Sequence, residues 1–289
     1  MNVKTEICKA FNSHSDEYDV HAKIQHEIGE RLFERLNYLK MKPRYILDLG
    51  CGSGVFSRRL KKMYPGAEII GFDIAYLMLG QAKKKQGWIQ KWTLVNGDME
   101  AMPFAQGLFD LIFANQVIHW SHEWSLLLRE ISRVMNPDGC LMFSTLGPDT
   151  FSELRKAWAE VDEFAHINEF RDMHDIGDCL LAEYFLDPVV DMEIITAHYQ
   201  TLSELVRALK SQGVRNINMA RNPGLTGKKS WELFEQHMEP FRTEKGKYAL
   251  TYEVIYGQAW KGFQRQIDHG VEMVFPIEKL RKPKVAEES

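Results

Sequence analysis

The chain has 289 residues, 45% of them hydrophobic and 26% charged, with a formal net charge of −4. That is the composition of a globular protein with room for one large domain carrying insertions. It lacks the basic balance expected of a nucleic-acid partner, and no apolar run is long enough to cross a membrane. Cys8, Cys51, Cys140 and Cys179 stand far apart, without CxxC or Cys/His ligand spacing. Neither a metal site nor a disulfide framework is expected. The polar N-terminus has no apolar signal core, so a reducing, cytoplasmic setting is expected.

In chain order, the first forty residues read as helical. Ala22, Ile24, Ile28, Leu32, Phe33, Leu36 and Leu39 recur at helical spacing, and Pro43 ends the stretch. Short apolar runs then alternate with amphipathic helices. Tyr45–Leu49 predicts a strand, followed by a glycine turn and a helix through Phe56 and Leu60. Glu68–Asp73 predicts the second strand, and a helix with Lys83, Lys84 and Lys85 follows it. Thr93–Asn96 and Phe109–Asn115 predict the third and fourth strands. A helix over about Trp124–Val134 is closed by the turn signal Asn136-Pro137-Asp138-Gly139, and Cys140–Leu146 predicts the fifth strand. Strands alternating with helices imply right-handed βαβ units and a parallel sheet. Residues 149–186 break the rhythm and read as mostly helical. Val189–Tyr199 predicts a strand, Leu202–Gln212 a helix, 214–246 a long polar stretch, and Tyr248–Tyr256 a late strand of period two. From about Lys279 the chain is charged.

The sharpest motif is Asp48-Leu49-Gly50-Cys51-Gly52-Ser53-Gly54, directly after the first strand. Alternating glycines let the backbone turn tightly and approach a ligand, and the next helix points its N–H groups at it. The spacing GxGxG, preceded by an acid, differs from the GxGxxG of nicotinamide enzymes. It resembles the glycine loop of class I methyltransferases, which hold the methionine part of S-adenosylmethionine there, its ammonium near Asp48. Asp73 ends the second strand about 20 residues further on, where a carboxylate can take ribose hydroxyls. The resemblance implies that Ile74 packs on the adenine and that Asp98, followed by Met99, accepts from the adenine amino group. Asn115 ends the fourth strand at the edge of the methyl-transfer site. The implied fold is α/β, a Rossmann-like class I methyltransferase with a seven-stranded, mostly parallel sheet and helical lid insertions. No metal is implied, and the product is S-adenosylhomocysteine.

A more specific resemblance extends to about residue 260. The chain is similar to the malonyl-acyl-carrier-protein O-methyltransferases of biotin synthesis. Phe11-Asn12, Tyr18-Asp19 and Gln25 match that family's N-terminal lid. Phe143 to Thr150 with Glu153-Leu154 match the exit from the fifth strand. His166 to Phe170 and Asp172 to Asp178 match the insertion. Pro188 to Asp191, Leu209-Lys210, Gly213 with Asn216, and Arg221 with Gly224 to Gly227 follow the same pattern. The resemblance implies methylation of the free carboxylate of malonyl on acyl-carrier protein, or on coenzyme A. Masking that charge suits an apolar chain-elongation pocket. Neither nucleic acid nor a membrane is an expected partner.

Acceptor contacts are expected from Tyr18 and from His119-Trp120. An arginine fork for the carboxylate is expected from Arg221 first, with Arg155 and Arg171 as the other candidates. A carboxylate acceptor needs no base, and no acid–base dyad stands beside the cofactor motif. A basic face for an acidic carrier protein has three candidates: Arg58, Arg59, Lys61 and Lys62; Lys83 to Lys85; and, ranked first, Arg207, Lys210, Arg215, Lys228 and Lys229. The expected organisation is an N-terminal helical lid over 1–42, a cofactor-binding core over 43–148 and a helical substrate lid over 149–186. The C-terminal part of the sheet follows over 187–262, with an inserted helix and loop over 200–246, then a tail over 263–289. Three alternatives remain open at this point: a small-molecule carboxyl methyltransferase, a relative of the complex I assembly arginine hydroxylases, and a module that binds the cofactor without transferring anything.

Overall fold

The computed structural model describes residues 3–88, 91–211, 227–267 and 270–274. Seven strands form one sheet: β1 (Tyr45–Leu49), β2 (Glu68–Asp73), β3 (Thr93–Asn96), β4 (Phe109–Asn115), β5 (Met135–Leu146), β6 (Phe185–Tyr199) and β7 (Tyr248–Lys261). Their order is β3-β2-β1-β4-β5-β7-β6. The first five pair in parallel, and β7 runs antiparallel to both β5 and β6. The chain reverses its direction of travel across the sheet between β1 and β4. Open α/β sheets bind ligands at such a switch point, beyond the strands' carboxyl ends.

Helices cover both faces. Before β1 come α1 (Val3–Ser13), α2 (Tyr18–His21) and α3 (Lys23–Arg35). The parallel crossovers carry α4 (Val55–Met63), α5 (Tyr76–Lys84) and α6 (Trp124–Val134). Next are α7 (Ser152–Ala159) and α8 (Met173–Ala182), then α9 (Leu202–Ser211) and α10 (Lys228–Met238) between β6 and β7. Successive strand residues point to opposite faces. Ile46, Leu111 and Phe113 therefore join a core with Leu32 of α3, Leu60 of α4 and Phe234 of α10. Leu47, Ile112 and Ala114 join the opposite core with Leu127 and Ile131 of α6 and Leu180 of α8. Burial on both faces is why the central strands β1 and β4 read as largely apolar runs.

Several elements depart from the sequence reading. The turn signal over Asn136–Gly139 lies inside β5 as an irregularity. The register passes from Phe109 opposite Met135 to Leu111 opposite Cys140, with Asp138 at φ 65°. Strand β6 begins at Phe185, before Pro188, and shifts register between Leu186 and Val189. The insertion is not continuously helical. Between α7 and α8, Asp162 accepts from the Phe164 N–H and bonds His166, a local side-chain arrangement that competes with helix. The polar stretch 214–246 contains α10, whose apolar side is Trp231, Phe234 and Met238 at helical spacing. Within the segment expected to be a tail, β8 (Phe263–Ile267) and β9 (Gly270–Val274) pair as an antiparallel ribbon. Among the described residues, no helix is long and apolar enough to cross a membrane.

Candidate active site

The glycine loop follows β1 and packs onto β2, where Gly50 N–H and Cys51 N–H both donate to Phe72 O, at 2.8 and 3.0 Å. Gly50, Gly52 and Gly54 have φ of 68°, 53° and 76°, a left-handed backbone that disfavours any Cβ. Their surroundings differ. A Cβ on Gly50 would meet Val117 at 2.4 Å, and one on Gly54 would meet Ala82 of α5 at 2.8 Å. Gly50 and Gly52 line a cleft, whereas Gly54 serves the close approach of α5 and does not line it.

The cleft encloses about 760 Å³, part of it open to solvent. It lies at the carboxyl ends of β1, β2 and β4 and the loop after β3, beneath α1 and α2. Most of the cofactor residues expected from sequence converge on it: Gly50, Gly52, Asp73, Ile74, Asp98 and Met99. Asn115, Tyr18 and Trp120 also line it.

Asp73 is held through both carboxylate oxygens. Oδ2 accepts from Gly52 N–H at 2.9 Å and Oδ1 from Ala75 N–H at 2.8 Å. Burial raises its pKa above the usual carboxylate range, against these two hydrogen bonds. Asn115 is fixed at both ends of its amide. Nδ2 donates to Gln25 O at 3.2 Å, and Oδ1 accepts from Ser144 Oγ at 2.7 Å. Tyr18 stays a phenol, because burial raises its pKa and Asp73 and Asp19 add to the effect. Phe11 forms the roof between them, edge-on to Trp120 at 5.5 Å and 6.2 Å from Tyr18.

Asp48 does not reach the cleft. Its side chain lies beneath the loop, 2% exposed, and accepts from Ser57 Oγ at 2.5 Å. Burial pushes its pKa up to about 7, against the Ser57 hydrogen bond. His119 is not among the residues lining this cleft either. Its ring lies against Trp120 and Phe170, with Nδ1 3.5 Å from Thr145 Oγ1, and burial drives its pKa down to about 3. The imidazole is therefore neutral near pH 7.

The expected arginine fork is not at the cleft among the described residues. Arg155 donates to Pro148 O and Thr150 O, both at 3.2 Å, and so ties down the exit from β5. Arg171 lies over the Trp124 ring at 5.5 Å. Arg221, Asn216 and Arg215 lie outside the described residues.

Lys4 is a wall residue that the sequence did not single out. It pairs with Asp98 and Glu100, each at 2.5 Å, and links α1 to the loop after β3. Cys8 Sγ donates to Ile74 O at 3.5 Å, and Leu77 N–H donates to Asn12 Oδ1 at 2.9 Å. Asp19 beside Tyr18 accepts from Ser53 Oγ at 2.5 Å and pairs with Lys85. An ion pair 94 residues apart leaves no local pattern in the sequence, which is why Lys4 was missed. Gln116, at φ 55°, and Val117 also line the cleft.

The switch-point cleft, the left-handed glycine loop and the acid closing β2 define a class I methyltransferase. The methyltransferase domain family matches residues 47–143. Solved structures with this fold include the YcgJ protein of Bacillus subtilis, at TM-score 0.55 and 17% identity over 80% of this chain and 97% of that one. A methyltransferase-like protein of Bacillus halodurans aligns at TM-score 0.54 and 18% identity over 81% of this chain and 98% of that one. In sequence, the chain is 60% identical over 282 residues to the malonyl-acyl-carrier-protein O-methyltransferase of Legionella pneumophila, covering 98% of this chain and 99% of that protein. The protein of the same name from Gallionella capsiferriformans is 39% identical over 94% of this chain and 95% of its own length. The chain belongs to the malonyl-acyl-carrier-protein O-methyltransferase family and is an O-methyltransferase.

Proposed function

We propose that the protein methylates the free carboxylate of malonyl on acyl-carrier protein, using S-adenosylmethionine, in the cytoplasm. The ester would then start pimeloyl assembly for biotin. The observation that carries this reading is the 60% identity with a protein of that name over essentially both full lengths. Coenzyme A is the other carrier to be tested.

The cleft's chemistry supports the donor. Asp73, Asp98 and Glu100 line it against one described cation, Lys4, so a cationic ligand is favoured over an anionic one. S-adenosylmethionine supplies an electrophilic methyl group on a sulfonium when bound. On this reading Gly50 and Gly52 bring backbone close to the ligand, and Asp73 keeps lone pairs free for the ribose hydroxyls. Ile74 packs on the adenine and Asp98 accepts from its amino group, with Met99 beside it. Lys4 competes for Asp98, so cofactor entry is coupled to movement of α1. Asp48 and Gly54 support the loop from beneath and beside it.

The acceptor chemistry is consistent with the same reading. A carboxylate is already deprotonated, so the neutral His119 is no obstacle to transfer. Tyr18 is a hydrogen-bond donor across the working pH range, and Asn115 and Trp120 complete the positioning groups. Catalysis then rests on alignment in a water-poor cleft. On this reading α1 and α2, whose Lys4, Ile7, Phe11 and Tyr18 line the cleft, act as its lid.

An intact-mass assay tests the proposal, with malonyl-acyl-carrier protein, S-adenosylmethionine and acetyl-acyl-carrier protein as control. Gain of one methyl group on the malonyl form alone is expected. No gain, with S-adenosylhomocysteine binding intact, overturns the acceptor assignment.

A further inference from the structure

A second cavity lies among α7, α9, α10 and the segment between α7 and α8, enclosing about 730 Å³ with part open to solvent. Its walls are mostly apolar: Leu154, Phe170, Leu205, Leu209 and Phe234 take part. One side is a ladder of rings. Trp158 stacks on Phe234 at 4.2 Å and on His166 at 3.8 Å. Trp158, Phe170, Leu209 and Trp231 remain partly exposed although all of them face this cavity. Apolar surface left in water is unfavourable, so the cavity favours an apolar occupant. None of its described lining residues is an Asp, Glu, Lys or Arg, and His166 and Asn168 add polar side chains. The described part of the lining suits an uncharged chain carrying a few polar groups.

The cavity lies near the acceptor end of the cofactor cleft, with packed side chains between the two. Phe170 in its wall lies edge-on to His119 at 5.8 Å, and His119 lies 5.2 Å from Trp120, which lines the cleft. Helix α2, which begins at the cleft residue Tyr18, packs on α9, which supplies Leu205 and Leu209. On the malonyl-thioester reading, an acceptor with its carboxylate beside Tyr18 would have this cavity on the side where Phe170 and α9 pack.

We propose that the second cavity receives the thioester arm of the acceptor, the uncharged, amide-bearing pantetheine chain that acyl-carrier protein and coenzyme A share. The proposal rests on the malonyl-thioester reading above. It makes arm recognition a property of α7, α9 and α10, separate from the cofactor cleft, and gives a physical basis for preferring a carried malonyl group over a small free acid.

The test compares kcat/KM for malonyl-acyl-carrier protein, malonyl-coenzyme A and malonyl-N-acetylcysteamine, whose arm is short. The wild-type protein is expected to prefer malonyl-coenzyme A to the short thioester by at least about tenfold, the size of effect a few buried chain atoms produce. Leu209→Trp fills the cavity. It is expected to lower kcat/KM for both long-armed substrates alike and to collapse their advantage over the short one. S-adenosylhomocysteine titration monitors the fold and the cofactor cleft separately, and Val206→Trp replaces Leu209→Trp if that titration fails. Equal wild-type kcat/KM for long and short arms overturns the proposal. So does an equal loss on all three substrates, or a loss confined to the carrier protein. Absence of methyl transfer to every malonyl thioester, with S-adenosylhomocysteine bound, identifies the failure as that of the underlying acceptor reading.

Discussion

Replacing Asp73 by Asn tests the cofactor reading where the geometry is most constrained. Both carboxylate oxygens already accept backbone N–H groups, from Gly52 in the glycine loop and Ala75 at the start of α5. An amide removes the negative charge and turns one acceptor into a donor facing a donor. Hydrogen bonds to a charged group contribute about 1.5–3 kcal/mol each. Taking the lower value for two ribose hydroxyls gives about 3 kcal/mol, a factor of about 150 in affinity. Disturbance of the loop at Gly52 adds to that loss. Calorimetric titration with S-adenosylhomocysteine is the assay, with thermal unfolding of the free protein to establish that the variant folds. An affinity within about threefold of wild type, in a folded variant, would refute the assignment of Asp73 to the ribose.

Other outcomes follow from the same geometry. Lys4→Met removes both ion pairs between α1 and the loop after β3. Discounted for solvent exposure, these contribute about 1 kcal/mol together; because Lys4 competes with the ligand for Asp98, S-adenosylhomocysteine should bind up to about fivefold more tightly to the variant in calorimetric titration, and weaker binding would show that Lys4 holds the ligand in. Arg155→Ala should leave the acceptor KM within about twofold of wild type. It should lower stability by about 1 kcal/mol in denaturant titration, because its guanidinium holds the carbonyls of Pro148 and Thr150. A large KM rise would return Arg155 to the acceptor site. The folded pKa of Asp48 is about 7, above the ordinary 3.8. Its contribution to stability is therefore fully present below about pH 3.8 and lost as pH rises through about 7. Asp48→Asn should flatten that part of the stability–pH curve. His119 has the opposite sign. Its folded pKa of about 3 lies below the ordinary 6.5, so its contribution is present above 6.5 and lost on acidification toward 3. The pH profile of kcat should show no limb from His119 near neutrality, and a limb abolished by His119→Gln would contradict its burial.

The parallel half of the sheet was legible because its central strands, buried on both faces, read as largely apolar runs. The glycine loop was legible because its backbone angles admit little besides glycine. Which residues of the motif face the cleft was not legible. Asp48 and Leu49 are neighbours in one strand, and only the pleat decides that Leu49 lines the cleft while Asp48 turns toward Ser57. For Arg155 and Arg171 the sequence could not choose a partner, because a guanidinium serves a backbone carbonyl or an aromatic face as readily as a carboxylate. Arg155 and Arg171 take those partners instead. The segment around Phe143 to Leu154 was discriminating in sequence for a structural reason. Thr150 exchanges hydrogen bonds with the backbone of Glu253, and Glu153 accepts from Thr251, so these residues fasten the exit of β5 to β7. Lys4 and α10 escaped notice, the first because its partners are remote, the second because its apolar side is narrow amid charge.

The position of β7 has a consequence for how the chain is made. It is the last of the seven strands to leave the ribosome, yet it lies between β5 and β6, pairing with both along most of its length. Until residue 248 onward is available, β5 has an open edge and β6 has no partner in the sheet. A nascent or truncated chain ending before Tyr248 would thus display two unsatisfied strand edges beside an already formed parallel half of the sheet. Synthesis of the final segment is then the step that closes the sheet, and premature termination there should yield aggregates rather than a smaller working enzyme.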